Sequence, residues 1–325
     1  MTRLATPAFW QQQFHPLALL LWPVGEIYKA VTHARLRHHG PHAGVPAICI
    51  GNVNVGGTGK TPIVQYAVQE LQKLGRTPHI IMLGYGGQAQ ETTRVDLALH
   101  DAHDVGDEAL LHAGIAPTWV GKDRHQSAQA AIAAGADIIV MDDGMQSPSI
   151  QPSTRWLVLD AARGIGNGYG IPAGPLREDL SHGLRRVDAI ILVGEGDFMP
   201  QTDKPVLRVK IETDEVSRQN LKDKLIYAFA GIGQPEKLVF SLRAAGLEVA
   251  GARGFPDHHQ YSLNEITALR RRATSLDAQL VTTQKDYVRL PADWREGITP
   301  VNVKMTWDQP EKFQNLLESA MHAKP

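Results

Sequence analysis

Apolar residues recur at three- and four-residue spacing through Leu20, Leu21, Val24, Ile27, Tyr28 and Val31, which predicts a helix from Leu17 onward with one apolar stripe. Lys29, His33 and Arg37 fall on a second stripe. From residue 47 the period changes. The largely apolar run 47–53 reads as a buried strand, followed by a glycine-rich loop and a helix over 60–74 that stops at Gly75. Further apolar strands are predicted at 79–83, 118–120, 137–141, 156–160 and 189–193, with helices from about 108 and across 127–134. Such runs alternating with helices predict an α/β fold whose parallel sheet is covered on both faces.

Near residue 203 the pattern breaks into strict alternation at 206–211, and a similar run occupies 301–305. Two half-exposed strands of this kind pair as a ribbon that joins two domains. Between them, strands at 225–230, near 247–250 and at 279–283 alternate with helices from 235 and over 264–276, giving a second, smaller α/β domain. The predicted division is a basic helical segment over 1–45, a main domain over 46–204 and the smaller domain over 205–325.

The chain has 325 residues, longer than a single core usually grows, which agrees with two domains. Its 33 Lys and Arg balance 34 Asp and Glu, so no global positive charge calls for nucleic acid. Charged partners must be met locally. Between Met1 and Ala47, Arg3, Lys29, Arg35 and Arg37 face only Glu26, with five histidines and the aromatics Phe9, Trp10, Trp22 and Tyr28 nearby. A basic, aromatic helix with an apolar face either lies in an anionic membrane interface or packs on its own domain, and the pattern leaves both open. The apolar run 16–24 is too short to span a bilayer and lacks the flanks of a signal peptide. Cys49, the single cysteine, can form neither an internal disulfide nor a cysteine metal cluster.

The chemistry starts at Asn54-Val55-Gly56-Gly57-Thr58-Gly59-Lys60-Thr61, set between a strand and a helix. There, backbone N–H groups point at phosphate and the helix dipole favours negative charge, so the segment reads as a P-loop. The usual pattern has glycine where Asn54 stands. Lys60 is placed to reach the β and γ phosphates, and the Thr61 hydroxyl to ligate Mg²⁺. Asp142 and Asp143 follow an apolar strand, the position from which a carboxylate holds Mg²⁺ beside the phosphates, although Asp-Asp-Gly is also an ordinary turn. Asp107 and Glu108 precede a helix and read first as an N-cap and a first-turn acid. Pro256-Asp257-His258-His259 reads first as a loop with a local histidine pair. Together they supply a carboxylate and an imidazole, the groups that accept a proton from an attacking hydroxyl. The turn-rich Pro172 to Glu178 segment ends in an Arg-Glu pair that is either part of a site or a surface ion pair.

The ordered set Gly51-Asn52, Val55 to Pro62, Gly84-Tyr85-Gly86-Gly87, Val105 to Glu108, Asp142-Asp143-Gly144, Pro172 to Glu178, Ala230 to Gly233, Phe255 to His259 and Thr282 to Asp286 resembles the tetraacyldisaccharide 4'-kinase family of lipid A biosynthesis. The resemblance spans almost the whole chain. It implies a P-loop kinase that uses Mg²⁺ and ATP to phosphorylate the 4'-hydroxyl of a tetraacylated glucosamine disaccharide 1-phosphate, peripherally at the anionic cytoplasmic face of an inner membrane. No obligate protein partner is inferred. It further implies Asp107 as base with His258, carboxylates Asp142, Asp143 and Glu178 around the metal and phosphates, and phosphate and metal contacts from Lys60 and Thr61. Met82-Leu83 stand where the family usually has Ser-Arg, Gln284 where it often has Glu, and Ser147 where it often has His. The competing reading is a P-loop switch ATPase or GTPase acting on a partner protein. Val55 before Gly56-Gly57 and the absence of a spacer in Gln284-Lys285-Asp286 weigh against it.

Overall fold

A computed structural model describes residues 7–232 and 234–324, so Arg3 of the basic start and Gly233 of the Ala230 to Gly233 motif lie outside the described residues. The first α-helix is α1 (Pro16–Arg35), which ends before Arg37. Then come β1 (Ala47–Gly51), α2 (Lys60–Lys73), β2 (Pro78–Met82), β3 (Thr93–Arg94), α3 (Ala102–Val105), α4 (Asp107–Ala113), β4 (Thr118–Val120), α5 (Arg124–Ala133), β5 (Ile138–Asp142), β6 (Thr154–Asp160), α6 (Leu180–Arg185) and β7 (Ala189–Val193). The remainder is β8 (Val206–Thr213), α7 (Glu215–Leu221), β9 (Ile226–Ala230), α8 (Glu236–Ala244), β10 (Val249–Gly254), α9 (Leu263–Ser275), β11 (Gln279–Thr283), α10 (Gln284–Arg289), β12 (Ile298–Val301), β13 (Val303–Trp307) and α11 (Pro310–Met321).

Nine strands form one sheet in the order β13-β8-β7-β6-β1-β5-β2-β4-β3, parallel except at its two edge pairs. β1 lies between β5 and β6, with Ile50 opposite Asp142, so the P-loop and the Asp142-Asp143 turn leave adjacent strand ends. One face of the sheet packs against Ile63, Val64, Ala67, Val68 and Leu71 of α2, and each of the buried Ile, Val and Leu side chains contributes about 1.5–3 kcal/mol.

The alternating strands do pair, Val303 opposite Thr213, but as the outer edge of the large sheet and not as a free ribbon. α11 then returns to the first core, where Phe313, Leu317 and Ala320 bury against Trp156 and Trp307. The smaller body in space is therefore narrower than 205–325. Its four parallel strands run β10-β9-β11-β12, with α8 on the core of one face and α9 on the core of the other. Such a sheet has its binding crevice beyond the carboxyl ends of β9 and β11, where the winding direction reverses.

α1 is amphipathic in an unusual sense. Its Ala18, Gly25 and Lys29 are the buried residues, whereas Leu20 and Ile27, on the predicted apolar stripe, are 75% and 65% exposed. Gly25 abuts Gly170 so closely that a Cβ would sit 2.6 Å from the Gly170 carbonyl oxygen. Lys29 Nζ donates to Asp179 at 2.7 Å, and the His33 and His182 rings lie 4.1 Å apart. No helix among the described residues is long and apolar enough to cross a membrane.

Candidate active site

The P-loop is braced from the side by the Pro172 to Glu178 segment. Val55 N donates to Pro175 O at 2.8 Å and Arg177 N to Val53 O at 2.7 Å. Asn54, in the place of the usual glycine, is buried and donates from Nδ2 to Gly164 O at 2.9 Å. Gly59 caps α2 at φ 86°, and a Cβ there would lie 3.1 Å from both Ile211 and Val193 side chains, so glycine suits both conformation and space. The helix start delivers Lys60, whose Nζ is 3.7 Å from Asp143 Oδ2, and Thr61, whose hydroxyl is 3.5 Å from Glu108 Oε1.

Asp142 is the last residue of β5 and fully enclosed, with Oδ2 2.8 Å from His112 Nε2. Asp143 adopts φ 55°, which turns its carboxylate toward Lys60 and Arg177, whose Nη1 donates at 2.9 Å. Burial pushes the Asp143 carboxyl up, but the charges of Lys60 and Arg177 outweigh it and bring the carboxyl down to about 2. Arg177 and Glu178 are not a pair with each other. Glu178 is wholly buried, and its oxygens are engaged by Gln146 Nε2 and His182 Nδ1, at 2.8 and 2.9 Å, and by Arg186. Its link to the Asp143 group runs through Gln146 and Arg177, which lie 3.4 Å apart.

The Oδ1 atoms of Asp142 and Asp143, and those of Asn52 and Asn54, are buried without a hydrogen-bond partner. Buried carboxylate oxygens left open at the end of β5, where Asp143 faces the P-loop lysine, form the hard oxygen donor set that Mg²⁺ prefers, so the residues present fit that ion.

Asp107 is the first residue of α4 and not its cap, since the cap is Gly106. Gly106, at φ 89°, packs so tightly on the Gly84 to Gly87 turn that a Cβ would lie 2.8 Å from Tyr85 O. Asp107 projects into the crevice of the small sheet and meets His258 Nδ1 at 2.9 Å. Arg289 holds the same Oδ2, its Nε at 2.6 Å, and Arg289 is itself fixed by Gly231 O and Asp286. Burial of Asp107 pushes its carboxyl up, yet the His258 hydrogen bond with the Lys285 and Arg289 charges holds it well below the usual carboxylate range. Next to it, Glu108 bridges Thr61 and Lys285, whose Nζ donates at 3.0 Å and also lies 3.4 Å from His258 Nε2.

The structure thus brings Asp107 and His258 into contact, and sets Glu108 between that pair and the P-loop. Glu108, Lys285 and Arg289, which the sequence pattern does not mark as site residues, complete this cluster. Glu108 and Lys285 lie inside the Gly106-Asp107-Glu108 and Lys285-Asp286 motifs, whereas Arg289 lies in neither, and the roles of all three depend on a contact between two domains.

The protein-family model described as tetraacyldisaccharide-1-P 4'-kinase matches residues 17–322. A tetraacyldisaccharide 4'-kinase of Bradyrhizobium diazoefficiens is 42% identical over 325 residues, covering 97% of this chain and 96% of the relative. One of Rhodospirillum centenum is 43% identical over 328 residues, covering 98% and 97%. Among solved structures, LpxK from Aquifex aeolicus in complex with ATP superposes with a TM-score of 0.75 at 25% identity, covering 94% of this chain and all of that one. With P-loop, paired aspartates and a carboxylate–imidazole contact in one cleft, the chain belongs to the tetraacyldisaccharide-1-P 4'-kinase family.

Proposed function

We propose that Asp107 and His258 accept the proton of the attacking hydroxyl in an ATP-dependent phosphorylation, and that this cleft is where the chain transfers the γ-phosphate of ATP to the 4'-hydroxyl of a tetraacylated glucosamine disaccharide 1-phosphate. The observation that carries the reading is positional. Asp107, which holds His258, and Glu108, which reaches Thr61, are consecutive residues of α4, so one helix touches both the proton acceptor and the phosphate cradle.

In the transfer, the hydroxyl oxygen forms a bond to the γ-phosphorus as the bond to the β–γ bridging oxygen breaks, leaving ADP. An ionised Asp107 accepts from His258 Nδ1–H, which leaves the Nε2 lone pair, faced by Lys285 Nζ at 3.4 Å, to take the hydroxyl proton as Lys285 stays with Glu108. Arg289 keeps the carboxylate in place while this occurs. Lys60 leaves Asp143 for the phosphate oxygens, and Arg177 supplies a second positive charge nearby. Bound Mg²⁺ neutralises phosphate charge, and Thr61, Asp142 and Asp143 would hold it. Glu178, read from the resemblance as one of the carboxylates around the metal, serves here to brace Gln146 and Arg186, because its oxygens are already engaged.

The outward apolar face of α1 is read as the surface that meets the cytoplasmic leaflet of the inner membrane, where the lipid substrate resides. Lys29 and His33 are turned to the protein, so the apolar stripe is what remains for the bilayer.

The test is to supply γ-labelled ATP with either the disaccharide lipid or buffer alone. Label should move to the lipid, with little free phosphate released in its absence. Equal hydrolysis without lipid would instead support a switch NTPase.

A further inference from the structure

α4 carries a third polar side chain whose part in the chemistry is unassigned. His112 lies one turn beyond Glu108 and is completely buried, with Nε2 2.8 Å from Asp142 Oδ2. A buried imidazole facing a buried carboxylate is costly unless each satisfies the other. Here the satisfaction is one-sided: His112 Nδ1 and Asp142 Oδ1 have no hydrogen-bond partner. Two otherwise apolar residues of the right size would fill the same space without leaving orphaned atoms, so packing alone does not account for the pair.

We infer that His112 is a positioning residue that fixes the rotation of the Asp142 carboxylate, so that Oδ1 faces the cation site at the end of β5. An ionised Asp142 is an acceptor, so the imidazole proton sits on Nε2 and occupies Oδ2. The remaining oxygen is then held in one orientation before any cation arrives. The arrangement is that of an outer partner that orients a metal-ligating carboxylate, whose loss typically weakens metal affinity by about 10–100-fold. Since Glu108, on the same helical face, touches Thr61 at 3.5 Å, α4 lines up both sides of the cation position. This inference rests on the reading of Asp142 as a Mg²⁺ ligand.

The experiment is a Mg²⁺ titration of fluorescent ATP-analogue binding to the full chain, which needs no turnover, for wild type, His112→Leu, His112→Gln and Asp142→Asn, with thermal melts of each. His112→Leu should raise half-saturating Mg²⁺ about tenfold or more. Gln keeps an N–H near the Nε2 position, so it should recover most of that loss. A His112→Leu titration matching wild type while Asp142→Asn is shifted would overturn the positioning role. If neither is shifted, Asp142 is not a ligand and the inference falls with that reading. Failure of Gln to recover what Leu loses, with both melting as wild type, would show that the hydrogen bond is not the means and would also overturn it.

Discussion

Asp107 on α4 and Arg289 on α10 are 182 positions apart in sequence, yet Arg289 Nε stands 2.6 Å from Asp107 Oδ2, with both side chains almost completely buried. The small sheet's crevice, where a ligand would ordinarily sit, is thus occupied by a carboxylate of the large domain. Docking of the domains and construction of the Asp107–His258 pair are consequently one event. A second tie, from Lys237 Nζ to Asp160 at 2.7 Å, lies on the far side of the P-loop.

The first prediction concerns that pair. Asp107→Ala and His258→Ala should each reduce kcat by roughly 10²–10⁴-fold while the KM for ATP changes little. The double variant should lose little beyond the worse single one, because groups acting as a unit are not additive. Steady-state kinetics on all three proteins decide the matter, and strictly multiplicative losses would mean that the two residues work separately.

The second concerns pH and stability. Asp107 has a folded-state value below its ordinary 3.8, so its contribution to stability is present above that value and is lost as pH falls below it. Arg289→Met should destabilise the protein at neutral pH by about 3–5 kcal/mol, since it leaves a buried carboxylate without its partner. It should also flatten the decline of melting temperature between roughly pH 5 and pH 2 relative to wild type. Parallel acid limbs for the two proteins would refute the assignment.

The third concerns α1. Leu20→Glu with Ile27→Glu should cut co-sedimentation with anionic phospholipid vesicles while changing stability by no more than about 0.5 kcal/mol per site, because both residues are exposed. Lys29→Ala should behave in the opposite way, losing about 1 kcal/mol with its part-buried hydrogen bond to Asp179 while vesicle binding persists. Undiminished sedimentation of the double glutamate variant would remove the membrane role from this face.

Strand and helix order, the P-loop and the Asp142-Asp143 strand end were determined locally, by apolar period and by glycine, lysine and aspartate at fixed offsets, so the sequence by itself determined the α/β class and the phosphate cradle. The same pattern laid out two stripes on α1 but not which would face inward, because an amphipathic helix is only half of an interface. Tertiary packing decided it, seating the Gly25 and Lys29 side against Gly170 and Asp179. Likewise Asp107 carried the local signature of a cap, and only the approach of α10 and of the loop after β10 gave it Arg289, His258 and a depressed carboxyl. Glu178 closed a turn-rich segment beside the site, and only packing set its buried oxygens against Gln146, His182 and Arg186. Local periodicity encodes which face a residue occupies within its own element, whereas hydrogen bonds and charge pairs between elements depend on distances that come into existence only when the sheets and helices pack.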